Sequence, residues 1–271
     1  MEVVEQFVAS KTGSLEHCED GIVVMGTVAA VIDGGTDKTG RRYDGISAGR
    51  YAMLACADAV RSLDPAADWH AAVRWLTGKL AGRLPGGLPA HERPEAAVTV
   101  YSQAHREIWQ VGDVGFWFPG QSAGAPNAPK LIDRYAADIR AAILRVELDE
   151  GASQSVLARD DPGRRAISGL LNCQARFRNN PAAKELAYSA IDGCDVPPDL
   201  ITVRGIPDDV TELVIASDGY PRILPTLRES ESLLTELLIS DPLCIGALRG
   251  TKGVAPGNVS FDDRAYLRIL V

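Results

Sequence analysis

Apolar and polar positions change their spacing several times along this chain of 271 residues. Runs rich in Val and Ile, at Val3–Ala9 and Ile22–Ile32, are typical of strands. Apolar residues then recur at helical spacing twice. Ser47 is a candidate N-cap for a first helix that ends before Pro65, and a second helix fits Asp68–Leu84. The first third of the chain therefore predicts strands followed by two helices.

The rest of the chain repeats this order of strands and paired helices. Three short apolar runs between turn residues predict an antiparallel meander. A Gly- and Pro-rich loop at Pro119–Pro129 separates that meander from the next pair of helices. The predicted strands are Ala97–Tyr101, Glu107–Val111, Gly115–Phe118, Leu186–Ile191, Leu200–Val203, Glu212–Ala216 and Ala265–Leu270, and the predicted helices are Leu131–Leu148, Arg164–Phe177, Glu229–Ile239 and Pro242–Leu248.

This order of elements predicts the architecture. Helices come in pairs between runs of strands, rather than after each strand, which disfavours a doubly wound parallel sheet. The pattern favours an α+β fold with two mainly antiparallel sheets covered by helix pairs. The strands before and after the loop at 119–129, the one candidate linker, look like parts of the same sheets. We therefore expect one domain over residues 1–271.

The composition of the chain disfavours several classes of function. Lys and Arg number 28 against 36 Asp and Glu, a net charge of −8, so we expect neither nucleic-acid nor membrane binding. No apolar run reaches the ~18 residues of a membrane span. The first residues show no basic stretch followed by an apolar one, and the five cysteines form no CxxC pair. These features lead us to expect a cytoplasmic protein without a disulfide framework.

Acidic residues stand at the ends of several predicted core strands. Because strand ends lie at the rim of a sheet, their carboxylates would share one pocket if the rims meet, and like charges cannot all ionise there without a cation. Such hard oxygen ligands suit Mg²⁺ or Mn²⁺. The alternative is that each Asp only forms a turn, since Asp-Gly after a strand is common. The residues concerned are Glu19, Asp20, Asp33, Asp113, Asp218, Asp262 and Asp263.

Five short motifs around these residues carry a resemblance. They are, in order, Glu19-Asp20, Asp33-Gly34-Gly35, Gly112-Asp113-Val114-Gly115, Ser217-Asp218-Gly219 and Asp262-Asp263. In this order, from about Gly13 to the C-terminus, the chain resembles the metal-dependent type 2C protein phosphatases, the PPM family, as a divergent bacterial-type member. The resemblance implies a four-layer α-β-β-α sandwich with a two-metal site at one end.

The resemblance also implies a set of direct metal ligands. Asp33 would bridge two Mg²⁺ or Mn²⁺ ions and the carbonyl of Gly34 would bind one of them, while Asp218 and Asp262 would bind the other. Asp33, Asp218 and Asp262 would serve catalysis through a hydroxide between the ions, which attacks phosphorus in line with the leaving oxygen.

Three further acidic residues have weaker implied roles. Glu19 and Asp20 would orient metal-bound waters, and Asp113 matches a position that helps to hold a third, weaker ion. The family's phosphate-gripping Arg is replaced by Leu15, and the residue that binds the substrate phosphate is not identified. Candidate cations for that role are Lys11, His17, Lys38, Arg41 and Arg42. Other departures are Gly35, Val114-Gly115 and Asp263, and we expect Arg164, Arg165, Arg176 and Arg178 on solvated faces.

The function implied by this resemblance is hydrolysis of phosphoserine and phosphothreonine in proteins, in a signalling role, with a phosphoprotein as partner. The missing Arg keeps open a phosphatase of the same fold that acts on a small phosphorylated metabolite. A catalytically degenerate binding module is a third possibility. A hydrolase with an N-terminal nucleophile is disfavoured, because Met1-Glu2 offers no Thr, Ser or Cys.

Overall fold

A computed structural model describes residues 1–36, 38–121 and 130–271, so Asp37 and most of the predicted loop at 119–129 lie outside the described residues. The strands within these ranges agree closely with the apolar runs in the sequence, except that the predicted strand Ile22–Ile32 is a hairpin of two strands with its turn at Gly26 and Thr27. They are β1 (Glu2–Ala9), β2 (Asp20–Met25), β3 (Val28–Gly34), β4 (Arg42–Tyr43), β5 (Ile46–Ser47), β6 (Ala96–Ser102), β7 (Glu107–Val111), β8 (Gly115–Trp117), β9 (Thr202–Gly205), β10 (Glu212–Ala216) and β11 (Arg264–Leu270).

The longer helices begin where capping residues predict them. The Ser47 hydroxyl accepts a hydrogen bond from the backbone N–H of Arg50, and the Asp68 carboxylate accepts one from that of Ala71. No helix in the described part of the chain is long and apolar enough to cross a lipid bilayer. The helices are α1 (Ala48–Arg61), α2 (Trp69–Ala81), α3 (Leu131–Asp149), α4 (Gln154–Arg159), α5 (Pro162–Ala166), α6 (Ser168–Cys173) and α7 (Leu227–Ser240).

Two antiparallel sheets form the centre of the molecule. Sheet I has the order β2-β3-β6-β7-β9, and sheet II has the order β1-β11-β10-β8. Strand β3 is buried on both faces: Ala30 and Ile32 pack against α1 and α2, whereas Ala29 and Val31 face sheet II. On the far side of sheet II, Val214 packs with Leu234 of α7. The predicted α-β-β-α layering is therefore confirmed.

The predicted meander at 97–118 is wrong in one strand. β6 and β7 pair in sheet I, but β8 leaves it and pairs with β10, with Phe116 opposite Ile215. The chain crosses at Gly112, where φ is +88° and an added Cβ would lie 2.5 Å from the Cβ of Ala97. The Val114 carbonyl beyond it accepts hydrogen bonds from Thr99 and Gln110. The crossing places residue 113 between the two sheets.

Three other predicted elements are also wrong. Residues 186–191 form isolated bridges rather than a strand. The predicted helix at 164–177 is divided into α5, α6 and a 3₁₀ turn. The stretch 242–248 is a loop, because the Asp241 carboxylate accepts the backbone N–H groups of Ile245, Gly246 and Leu248 and so supports an irregular turn.

Candidate active site

The ends of strands from both sheets meet around one small pocket. Asp33 is the sixth residue of β3, Asp113 lies at the crossing, Asp218 follows β10 after Ser217, and Asp262 precedes β11. All four carboxylates line a pocket of about 110 Å³. Residues far apart in sequence are thus brought together, as the strand-end pattern predicts.

Asp33 and Asp218 lie close together in this pocket. Each carboxyl group perturbs the ionisation of the other. Loss of water around the group, together with Asp20 and Asp113, raises the pKa of Asp33 well above its ordinary value. The Asp218 side chain reaches solvent, yet loss of water and the charge of Asp33 raise its pKa as well. The pair is therefore short of positive charge.

Asp20 adds a third carboxyl to the same electrostatic field. The residue is only 4% exposed, and its Oδ2 atom has no hydrogen-bond partner within the described structure. Ser217 hydrogen-bonds to this carboxylate, but burial outweighs that contact and raises the pKa of Asp20. A buried carboxylate oxygen without a partner is a free ligand for a cation or a water.

Asp262 is in a different electrostatic state from Asp33 and Asp218. The Lys252 ammonium lies 2.7 Å from its Oδ2, and the Lys11 ammonium lies 3.2 Å from its Oδ1. Burial opposes ionisation of Asp262, but these two ammonium groups outweigh burial and lower its pKa. The third predicted acidic ligand is thus already neutralised by the protein.

Glu19 and Asp263 complete the surroundings of Lys11. The ammonium lies 3.2 Å from Glu19 Oε2 and 3.4 Å from Asp263 Oδ2, and Ser47 donates to Glu19 Oε1 at 2.7 Å. Burial by itself would lower the pKa of Lys11, but the surrounding carboxylates raise it. Asp263 also accepts hydrogen bonds from the backbone N–H groups of Lys11 and Glu19. Asp263, a departure from the family pattern, therefore joins β11 to the ends of β1 and β2.

The predicted carbonyl ligand Gly34 lies at a tight contact between β3 and α1. An added Cβ at Gly34 would be 2.1 Å from the Gly49 carbonyl oxygen, and one at Gly49 would be 2.6 Å from the Gly34 carbonyl oxygen. Both positions therefore require glycine. The Gly34 carbonyl lies against the first turn of α1, where Glu19 Oε1 is also close.

Several cations line the pocket beside the carboxylates. Lys38, one of the candidate phosphate-binding cations, lies there with Arg164, Lys252 and Lys130, whose ammonium is 3.5 Å from Asp113. Burial, with Lys130 and Arg164 nearby, lowers the pKa of Lys38. The expectation that Arg164 lies on a solvated face is wrong, since its guanidinium donates to the Thr251 carbonyl at 2.8 Å.

The other candidate cations have different partners. Arg41 pairs with Glu92, and Arg42 donates to the Gly45 carbonyl. Leu15, at the position of the family's phosphate-gripping Arg, is 58% exposed. Nothing in the sequence marks Arg164 or Lys252 as pocket residues, because their contacts come from distant segments.

A second acidic cluster adjoins the pocket. Arg178 lies 2.6 Å from Glu95 Oε2 and 2.8 Å from Asp192 Oδ2, and all three side chains are buried. The prediction of a solvated Arg178 is therefore wrong. Burial opposes ionisation of Glu95, but Arg178 and the pocket lysines lower its pKa to about 2. Glu95 and Arg178 also line a neighbouring pocket of about 240 Å³.

The donor set fits a divalent cation only in part. Within residues 1–36, 38–121 and 130–271, no three His, Cys, Asp or Glu side chains form a group that could hold a metal ion as they stand. Asp33 and Asp218 do suit a cation, since their oxygen-donor carboxylates line the same pocket and each perturbs the ionisation of the other. Asp262 does not, because its oxygens face Lys252 and Lys11.

Comparison with known proteins gives matches among solved structures. No protein-family model matches the chain, and no curated protein matches it. A serine/threonine phosphatase from Staphylococcus aureus has 12% identity and a TM-score of 0.49, with 100% of this chain and 96% of that chain covered. The PPM Ser-Thr phosphatase MsPP from Mycobacterium smegmatis, in complex with cacodylate, has 15% identity, 99% coverage of both chains and a TM-score of 0.48.

A third match is the catalytic domain of the serine/threonine protein phosphatase PstP, in complex with two manganese ions. It has 18% identity, covers 100% of both chains and has a TM-score of 0.44. The chain is similar to PPM-type phosphatases. These are proteins of the kind that the five motifs resemble.

Proposed function

We propose that this protein is a Mg²⁺- or Mn²⁺-dependent phosphatase that acts on phosphoserine and phosphothreonine in proteins. One observation carries the proposal. The carboxylates of Asp33 and Asp218 line one pocket that also contains basic side chains. Two carboxylates close together do not readily both ionise unless a cation lies between them. Mg²⁺ is commonly held by one or two carboxylates, together with substrate phosphate oxygens.

The pocket residues have different roles in this proposal. A divalent cation bound there supplies charge neutralisation and activation of water. Asp33 and Asp218 would hold the cation through their carboxylate oxygens. Lys38 and Arg164 face the phosphoryl oxygens and offset their charge, in place of the Arg that Leu15 replaces. The roles of Gly34, Asp113, Glu19 and Asp20 stay predictions.

The test is hydrolysis of p-nitrophenyl phosphate by the purified chain. We expect turnover only with added Mn²⁺ or Mg²⁺, and loss of turnover with excess EDTA. A panel of phosphopeptides and small phosphorylated metabolites then identifies the substrate class, and we expect higher kcat/KM on phosphopeptides. Undiminished turnover in excess chelator would exclude the metal-dependent reaction.

Two other outcomes favour the alternative functions. Higher kcat/KM on phosphorylated metabolites would indicate a small-molecule phosphatase of the same fold. Absence of turnover with both metals, for a chain that still binds Mn²⁺ in calorimetry, would indicate a binding module. In that case Asp262, which pairs with Lys252 and Lys11, marks the departure from an active site.

A further inference from the structure

Two lysines contact Asp262, which the family pattern makes a metal ligand together with Asp218. Lys252 Nζ lies 2.7 Å from Asp262 Oδ2 and 3.3 Å from Thr36 Oγ1. Lys11 Nζ lies 3.2 Å from Asp262 Oδ1 and 3.2 Å from Glu19 Oε2. Each oxygen of the Asp262 carboxylate thus has its own ammonium group. A cation that used Asp262 as a ligand would have to displace both.

The position of Lys11 shows that its contact is part of the fold. Its backbone N–H donates to Asp263 Oδ1 at 2.7 Å, and its ammonium lies 3.4 Å from the other oxygen of the same carboxylate. Its side chain is only 18% exposed. Asp263 also binds the backbone N–H of Glu19 at 2.9 Å. The backbone contacts fix the start of the Lys11 side chain, so its ammonium is held among three carboxylates.

The contrast with Asp33 and Asp218 is chemical. The strongest electrostatic influences on those two groups are other carboxylates, whereas Asp262 faces two ammonium groups. A fixed ammonium and a divalent cation compete for the same oxygen lone pairs, and like charges repel at this distance. Within the described residues, Asp33 and Asp218 therefore have no ion-paired cation, whereas Asp262 has two.

We propose that Lys252 and Lys11 act as built-in counter-cations for Asp262, so that a divalent ion held by Asp33 and Asp218 has no ligand from Asp262. The statement about the ion rests on the proposed function, but the lysine pairing does not. The pairing is tested by stability in chelator, with no metal present. The part of Asp262 in ion binding is tested by Mn²⁺ affinity.

The first experiment is a cycle of thermal unfolding in EDTA. Asp262→Asn leaves both lysines short of a partner, and we expect the unfolding midpoint to fall by about 3–6 °C. In the Lys11→Met/Lys252→Met background the same change should lower it by less than about 1 °C. An equal fall in both backgrounds would overturn the pairing. If the double variant does not fold, Lys252→Met alone serves as the background, with about half the coupling expected.

The second experiment measures the Kd for Mn²⁺ by isothermal titration calorimetry and by electron paramagnetic resonance of free Mn²⁺. We expect Asp262→Asn to leave the Kd within about threefold of the parent. Lys11→Met/Lys252→Met should bind Mn²⁺ about tenfold more tightly, because Asp262 becomes available as a ligand, and adding Asp262→Asn should remove that gain. The control is Lys79→Met, a lysine that lies over the Trp75 ring on α2. It should bind as the parent does.

The outcomes separate the inference from the proposed function. A loss of Mn²⁺ affinity of about tenfold or more in Asp262→Asn would overturn the inference and support the phosphatase proposal. No Mn²⁺ binding to the parent would exclude the metal-dependent phosphatase. The unfolding cycle would then decide by itself whether the lysines neutralise Asp262.

Discussion

Two acidic clusters lie side by side in this molecule, one buried and one that reaches solvent, and they differ in how their charge is balanced. Glu95 and Asp192 lie on either side of Arg178, at 2.6 and 2.8 Å, and the pKa of Glu95 falls to about 2. No basic side chain in the described residues forms an ion pair with Asp33 or Asp218, and the pKa values of both groups rise. A carboxylate pair with its own guanidinium is complete as it stands. A pair without one needs a cation from outside.

Loss of surrounding water opposes ionisation in both clusters, so it does not distinguish them. An ion-paired cation within the described residues does: Arg178 supplies one to Glu95 and Asp192. Asp262, with two lysines, belongs on this criterion with the Arg178 cluster, although it lines the same pocket as Asp33.

The largest expected effect is on catalysis at the pair without a cation. Asp218→Asn should lower Mn²⁺-dependent turnover by about 1,000-fold or more, roughly 4 kcal/mol of transition-state stabilisation, because it removes a metal-anchoring charge. In EDTA the same variant should melt at or above the parental temperature, since repulsion with Asp33 is relieved. Asp208→Asn, at an exposed carboxylate, is the matched control. Parental turnover with a lowered melting temperature would make Asp218 a turn residue only.

The balanced cluster should respond in the opposite sense. Arg178→Met leaves Glu95 and Asp192 buried without a guanidinium, and we expect a loss of about 3–5 kcal/mol in the free energy of unfolding. Mn²⁺ affinity should stay within about threefold of the parent. Urea unfolding and calorimetry measure the two quantities, with the exposed Arg176→Met as control. A large loss of Mn²⁺ affinity without a loss of stability would erase the distinction between the clusters.

Acid should weaken the balanced cluster in a defined pH window. Because the folded pKa of Glu95, about 2, lies below its ordinary value of 4.5, its ionisation stabilises the fold above pH 4.5. That contribution, at most about 3 kcal/mol, is lost as pH falls from 4.5 towards 2. Relative to parent, Glu95→Gln should therefore be destabilised at pH 7 and nearly equal at pH 2. A stability difference that does not change across this window would contradict the ion pair.

The smallest effect is expected at Asp113. Its carboxylate lies 3.5 Å from the Lys130 ammonium, so it is partly balanced by the protein. If it serves only a weak third ion, Asp113→Asn should reduce turnover by less than about tenfold. Steady-state kinetics at saturating Mn²⁺ measure this. A loss as large as that of Asp218→Asn would make Asp113 a principal ligand.

Local signals in the sequence predict much of the fold. The β-branched run of β3 and the capping residues Ser47 and Asp68 act within a few neighbouring residues, so their elements are found where expected. β8 is different: its apolar character fits either sheet, and its partner β10 lies about a hundred residues away. The sheet that β8 joins depends on the crossing of the chain at Gly112, and the spacing of apolar residues does not predict that crossing.

The candidate site likewise contains some residues that local sequence signals predict and others that they do not. Asp33 and Asp218 are predictable because each follows an apolar strand and precedes glycine, and strand ends gather at a sheet rim. Lys252 has no local sequence signal of this kind, since its partner Asp262 comes from another segment. The burial of Arg178 likewise depends on Glu95, 83 residues earlier. Charges that pair across long sequence distances look solvated in the sequence alone.

The chain crossing between sheets has a mechanical consequence. Asp33 belongs to sheet I and Asp218 follows a strand of sheet II. The distance between their two carboxyl groups in the pocket therefore depends on how the sheets are aligned. Any ion or ligand held by both would act as a clasp across the sandwich. By mass action, such a clasp would resist sliding or separation of the sheets by RT ln(1 + [L]/Kd). An ion bound in the pocket would then also make the two sheets harder to move relative to each other, so that occupancy of the pocket and rigidity of the sandwich would rise together.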